Sequence, residues 1–214
     1  VDMARSAELL VVGGYGSRGQ TAFSLGTVSG ELVRRFATPV LVPARGPAAG
    51  SGRWAAAPPA VFVGVSHLPP EVSRNGQEPL RLLRTAAEQA ALRGWPLTVV
   101  HVDPQRRPGR LQLQQAAVWE AVHAVPECSH VPCRVDLLQG AVTSALVRRV
   151  GPDDLLVVGT RGGGTLAGLI EGSVARGVLD TAACEVMVVP AASDRGPERS
   201  ATPRLEAASA DHHE

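Results

Sequence analysis

Residues 155–190 read L-L-V-V-G-T-R-G-G-G-T-L-A-G-L-I-E-G-S-V-A-R-G-V-L-D-T-A-A-C-E-V-M-V-V-P, an order of residue types that spells strand, glycine loop, helix, strand. The apolar run from Leu155 ends at Gly159, glycines recur at 162, 163, 164, 168 and 172, and Val186 to Val189 closes the unit. Glycine takes positive φ at little cost, and backbone N–H groups close around an anion only where no Cβ intervenes. A helix starting at Gly172-Ser173-Val174 adds unpaired amides and the positive end of its dipole. The loop reads as a cradle for phosphate.

The same pattern is written twice. Residues 9–43 follow it without a gap when Leu9 is set on Leu155, an offset of 146 residues. Gly13, Gly16, Gly26 and Thr27 then fall on Gly159, Gly162, Gly172 and Ser173, so both copies read G-x2-G-x9-G-[S/T]. Placed after a V-V-G strand and before a short helix and a closing apolar strand, this spacing resembles the nucleotide-binding signature of the universal stress protein (UspA-like) family. The resemblance covers a full second domain and the last third of a first, which implies a tandem-domain type whose first copy is N-terminally incomplete. It further implies an α/β fold: a five-stranded parallel sheet of strand order 3-2-1-4-5 with helices on both faces. That architecture is adenine-nucleotide α-hydrolase-like, or Rossmann-like, and here a βαβ remnant of the earlier copy precedes it.

Composition supports such a sheet and excludes several chemistries. Apolar residues make up 44% of the 214 and aromatics 3%, so the core is built from Val, Leu and Ala, as suits parallel strands covered on both faces. A net charge of +1 gives no general nucleic-acid footprint. All 21 basic residues are arginine, so a Walker A lysine, a Schiff-base lysine and a lysine general base are ruled out. No apolar run approaches the roughly 20 residues that span a bilayer, and no secretory signal is present, which points to the cytoplasm and away from membranes. Cys128, Cys133 and Cys184 are an odd number and read as reduced thiols.

Along the chain, residues 1–43 read as the C-terminal part of a first domain: a strand at Leu9 to Val12, a helix from about Thr27 to Phe36 and a strand at Val40 to Val42. Two strands and a helix cannot bury their own faces, so this part depends on a partner surface. Residues 44–59, rich in Gly, Pro and Ala, form a linker in which Trp54 docks on a neighbour. Residues 60–190 form the complete domain, with strands at Ala60 to Val65, Leu97 to Val102, Arg134 to Leu138 and Leu155 to Val158 before the closing strand. Helices are expected from Pro79 to Arg93, Leu111 to Ala124 and Thr143 to Val150, the first with Leu80, Leu83, Ala87 and Ala90 inward. Residues 191–214 are polar and read as a disordered tail.

In an open parallel sheet the ligand sits beyond the carboxyl ends of the strands where strand order reverses, here between the Ala60 and Leu155 strands. By the resemblance, adenine and ribose lie near Ser66 and the strand end at Val100 to Val102, and the phosphates meet Gly159, Gly162, Gly164, Gly172, Ser173 and Val174. Arg161 offers a bidentate anion contact. One departure is clear. Nucleotide-binding members carry V-G-V-D-G-S at the end of the first strand, and this chain has V-G-V-S-H-L, so Ser66 replaces a carboxylate with a hydroxyl. The implied ligand is ATP or a related adenine nucleotide, with Mg2+ entering only alongside it.

Other constellations are thinner. Gly14-x-Gly16-x-x-Gly19 matches a dinucleotide fingerprint, but Glu31 comes too early to be its acidic partner. His123, Cys128, His130 and Cys133 lie within eleven residues but lack a C-x2-C knuckle, and no metal site is assigned to them. His101 lies inside a strand, Asp103 at a strand end is a weak magnesium candidate, and Cys184 reads as buried and inert. No catalytic set emerges, so at most slow ATP hydrolysis is expected. Two functions remain: a nucleotide-responsive stress protein, and a non-nucleotide-binding interaction or dimerisation module of the same fold. In the family the last strand, here Val186 to Val189, pairs across a two-fold as a homodimer, or Val40 to Val42 fills that place within the chain.

Overall fold

The computed structural model describes residues 7–13, 38–44, 58–65, 78–105, 110–160 and 173–190. The expected helix at 27–36, Trp54 and the tail at 191–214 lie outside the described residues. In chain order the elements are β1 (Leu10–Val11), β2 (Val40–Val42), β3 (Val61–Val65), α1 (Glu78–Arg93), β4 (Leu97–Asp103) and α2 (Arg110–His123). A 3-10 turn at Pro126–His130 follows, then β5 (Cys133–Gln139), α3 (Val142–Arg149), β6 (Leu155–Gly159), α4 (Ser173–Thr181) and β7 (Glu185–Val189). The 3-10 turn was not anticipated; Pro126 starts it, and its first residues continue the chain reversal begun by the Cys128 N–H bond to the Val125 carbonyl (3.0 Å).

All of these strands join one sheet in the order β1-β2-β7-β6-β3-β4-β5. The expectation of a five-stranded, all-parallel sheet is therefore corrected: the sheet has seven strands and is mixed. From β3 to β7 every pairing is parallel, and β2 adds antiparallel to β7 with Val40 opposite Val188, Leu41 opposite Met187 and Val42 opposite Val186. The physical reason is the edge. β7 reads E-V-M-V-V, and left alone it would expose a row of unpaired N–H and C=O groups on an apolar strand. β2 supplies the partners, and Val40, Met187 and Val188 are fully buried as a result.

The register carries the repeat into three dimensions. Leu41 is the counterpart of Met187 in the two copies, and these two residues face each other, so the antiparallel pairing has local two-fold character centred on them. On the other side of β2, Leu10 pairs with Val40 and Val11 with Leu41, which reproduces the pairing of Leu156 with Val186 and Val157 with Met187. The β1–β2 pair thus holds the same register as the β6–β7 pair.

Strand alternation divides the core in two. Val61, Val63, Val65, Leu97, Val99, Leu155, Val157, Met187 and Val189 face α1, α2 and the 3-10 turn. Phe62, Val100, Val102, Leu156, Val158, Val186 and Val188 face α3 and α4. Each buried Val or Leu contributes about 1.5–3 kcal/mol. Within α1 the buried arc is wider than one stripe: Leu82, Leu83, Ala86, Ala87 and Ala90 are buried, and Leu80 is only half-buried, because the helix lies against the sheet and the 3-10 turn together. Gly94, at φ +65°, ends the helix, with its N–H bonded to the Ala91 carbonyl and that of Trp95 to the Ala90 carbonyl.

At the amino ends of the strands Asp154 ties distant segments together. Its Oδ1 accepts the Ala60 N–H at 2.8 Å and its Oδ2 accepts the Gly151 N–H at 2.6 Å, while the Leu155 N–H bonds the Ala60 carbonyl at 3.1 Å. Charge-assisted bonds of this kind contribute more than neutral ones, and removal leaves amides unpaired. Asp154→Ala is expected to lower stability by about 2–3 kcal/mol, read as a lower urea midpoint at unchanged slope.

Candidate functional site

β3 is the strand at which the order of the sheet reverses, and its two ladders end differently. Toward β4 it pairs along its whole length, to Val65 opposite His101. Toward β6 the pairing stops at Val63 opposite Val157, although β3 continues to Val65 and β6 continues to Gly159 against Val189. The β3–β6 ladder thus stops two residues short of the end of each strand, at the carboxyl edge of the sheet. In doubly wound sheets that is where ligands bind.

Helix packing shapes the same edge. A Cβ on Gly64 would stand 3.1 Å from Leu146 Cδ1, so glycine there lets α3 press against β3 where it leaves β6. A Cβ on Gly177 would stand 2.8 Å from Thr143 Cγ2, so glycine also lets α4 lie close to α3. Since α4 is the crossover between parallel neighbours β6 and β7, it runs back along the sheet and its first amides face the carboxyl edge. Neither glycine carries a loop signal in sequence; what marks them is close packing, visible only once α3 is in place.

His101 fixes the end of β3. Its buried Nδ1–H donates to the Val65 carbonyl at 3.0 Å, which assigns the tautomer and holds the last β3 peptide. Sequence reasoning placed His101 in the core but missed this bond, because it depends on the β3–β4 register. Asp103 ends β4. Its Oδ1 accepts the Gln105 N–H at 2.8 Å and its Oδ2 accepts Gln114 Nε2–H at 3.0 Å. The Gln114 bond first, then the Gln105 amide, hold its carboxyl below the usual carboxylate range.

The expected site residues separate into three groups. Gly159 is the last residue of β6, Ser173 is the first residue of α4 and Val174, half-buried, is the second. Val100 and Val102 have side chains buried in the core on the α3 side of the sheet, which leaves only their main chain for contact beyond it. Ser66, Arg161, Gly162, Gly164 and Gly172 lie outside the described residues. Among the described residues no three His, Cys, Asp or Glu side chains gather as a metal site; His123, Cys128, His130 and Cys133 are not brought together as ligands. Trp119 stacks on His123 with ring centroids 5.7 Å apart, and Cys128 is buried in the α1-side core. No described helix is long and apolar enough to cross a membrane.

An open α/β sheet with helices on both faces and an order that reverses at β3 belongs to the doubly wound class of folds. The chain belongs to the universal stress protein family: that family's model matches residues 74–190, more than half of its length. Universal stress proteins of Mycobacterium tuberculosis and Mycobacterium bovis are 30% identical over 206 residues, covering 88% of this chain and 63% of theirs. The chain therefore spans less than two thirds of the length of these relatives. A universal stress protein from Archaeoglobus fulgidus shares the fold at TM-score 0.57 and 17% identity, over 91% of this chain and 64% of that one. Another from Archaeoglobus fulgidus, solved in complex with dAMP, aligns at TM-score 0.47 and 23% identity over 62% of this chain and 98% of its own.

Burial pushes the Cys128 and Cys184 thiols up to about 12 from the usual 9.0. Below about pH 9 both folded and unfolded thiols are neutral; from there to about pH 12 only the unfolded ones ionise, so stability falls as pH rises through that window. The urea midpoint is expected to drop between pH 8.5 and 10.5, and to drop less in a Cys128→Ala/Cys184→Ala variant.

Proposed function

We propose that this chain is an adenine-nucleotide-binding universal stress protein, with ATP as the ligand, whose occupancy sets its conformation or partner choice in a stress response. The observation that supports the reading is the end of the β3–β6 ladder at Val63 and Val157, two residues short of Gly159 and on the edge toward which the first residues of α4 lie. On this reading the phosphates rest on main-chain amides of the glycine loop, 159–164, and of Gly172, Ser173 and Val174, with Arg161 as a side-chain anion contact. The nucleoside lies between Ser66 and the main chain at Val100 to Val102. Ser66 offers one hydroxyl in place of a carboxylate, which lowers affinity and leaves the phosphate half dominant.

Mg2+ enters only with the nucleotide, on its phosphates. The reading assigns no turnover. The absence of lysine removes one class of phosphoryl-transfer machinery, and His101, the buried base nearest the crevice, spends its Nδ1 proton on the Val65 carbonyl. Residues 1–43 are, in the same reading, the end of a preceding copy of the domain, joined through residues 44–59 to the complete copy at 60–190.

A second reading, an interaction module of the same fold with an empty crevice, draws on the β2–β7 pairing. That pairing occupies within one chain the edge through which a homodimer would form.

Calorimetric titration separates the two. ATP is expected to bind with micromolar affinity, and Gly172→Asp, which places a carboxylate among the amides that meet phosphate, is expected to weaken it at least about tenfold at unchanged stability. Absence of heat at millimolar ATP favours the empty module.

A further inference from the structure

β5 ends the sheet on the side away from β1, and among the described residues no strand pairs with its outer edge. Its inner partner is β4, in parallel register from Cys133 opposite Leu97 to Gln139 opposite Asp103. The Leu97 N–H bonds the Pro132 carbonyl at 2.8 Å and the Gly140 N–H bonds the Asp103 carbonyl at 3.1 Å, so the even-numbered residues turn their peptide groups toward β4. The alternate residues of a parallel ladder turn theirs away. The N–H and C=O groups of Cys133, Val135 and Leu137 therefore line the open edge.

The side chains divide between the two faces. Arg134 and Asp136 lie on the α3 face: Arg134 Nε–H donates to Thr98 Oγ1 at 2.9 Å, and Asp136 Oδ2 accepts from Arg149 Nε–H at 2.7 Å and Nη2–H at 2.6 Å. Cys133, Val135 and Leu137 lie on the other face, at the margin of the α1-side core. Although α2 and α3 both pack on β5, Val135 stays half-buried, whereas Val99, its partner on β4, is fully buried. Charges on an edge strand ordinarily discourage an added strand. On β5 they select one.

We propose that β5 pairs antiparallel with β5 of a second copy of this chain, on a two-fold axis at Val135. In that register Val135 meets the partner's Val135, and Cys133 meets the partner's Leu137, as hydrogen-bonded pairs that use the outward peptide groups. Arg134 then stands opposite the partner's Asp136 as a non-hydrogen-bonded pair, the closer kind, with Cα atoms about 4.5 Å apart. Opposite charges there stabilise and like charges destabilise. The symmetric registers one residue to either side set Arg134 on the partner's Arg134, or Asp136 on the partner's Asp136. Arg134 holds Thr98 through Nε and Asp136 holds Arg149 through Oδ2, so the Arg134 Nη groups and Asp136 Oδ1 are left for the pair across the axis. The strand used is not β7, whose edge β2 fills within the chain, and the pairing does not depend on nucleotide.

Sedimentation equilibrium of the 214-residue chain reads the association, and a dimer of micromolar Kd is expected. Arg134→Glu, which sets like charges across the axis, and Val135→Pro, which removes the N–H facing the open edge and spares the bonds to β4, are each expected to weaken it at least about tenfold. Asp136→Arg is expected to do the same, and an equimolar mixture of Arg134→Glu and Asp136→Arg chains to restore dimers, because every pair across the axis is again of opposite sign. A cooperative urea transition confirms that each variant is folded; if Asp136→Arg is not, the other two decide. The proposal is overturned by a chain that stays monomeric at high micromolar concentration, by association unchanged in Arg134→Glu and Val135→Pro, or by a mixture of folded variants that stays monomeric.

Discussion

A parallel strand at the centre of a sheet must pair on both edges and be covered on both faces, and β3 meets that demand only in part. It pairs fully with β4 and releases β6 after Val63. The release is what the site depends on. Peptide groups at the carboxyl ends of β3 and β6 are freed from a mutual ladder, in a place flanked by Gly159 and the start of α4. Gly64, by admitting Leu146, lets α3 press against β3, and Gly177, by admitting Thr143, lets α4 press against α3. The His101 bond to the Val65 carbonyl then holds the end of β3 still.

At the other side of the sheet the same chemistry of strand edges has a different outcome. β7 would present an apolar edge, and β2 covers it with local two-fold character centred on Leu41 and Met187. A single chain thereby contains the kind of contact that two identical subunits make across an isologous interface. β1 and β2 keep the register of β6 and β7, so the sequence repeat is also a repeat of strand pairing.

Much of this was legible in the sequence, and the reason is periodicity. The V-V-G ends, the glycine spacing and the offset between Leu9 and Leu155 placed the strands of the complete copy, the start of α4 at Ser173 and the place of Val40 to Val42 beside the last strand. What escaped were contacts that span the chain. Asp154 bonding Ala60 crosses 94 residues with no local mark, and an aspartate before a strand reads as an ordinary turn residue. The seven-strand total escaped because the sheet was assigned to one domain at a time. That the Val100 and Val102 side chains are buried in the core on the α3 side of the sheet was not legible in the sequence, because it depends on the strand register.

The central claim is that the gap between the ends of β3 and β6 holds the phosphates of an adenine nucleotide on main-chain amides. Amide chemical shifts of the 214-residue protein, followed by NMR as ATP is added, test it most directly. The account predicts saturable shifts at Val65, Gly159, Thr160 and Val174, with Ala60, Leu97 and Asp154 at the opposite edge unmoved. Shifts clustered at that opposite edge, or none at millimolar ATP, would contradict it.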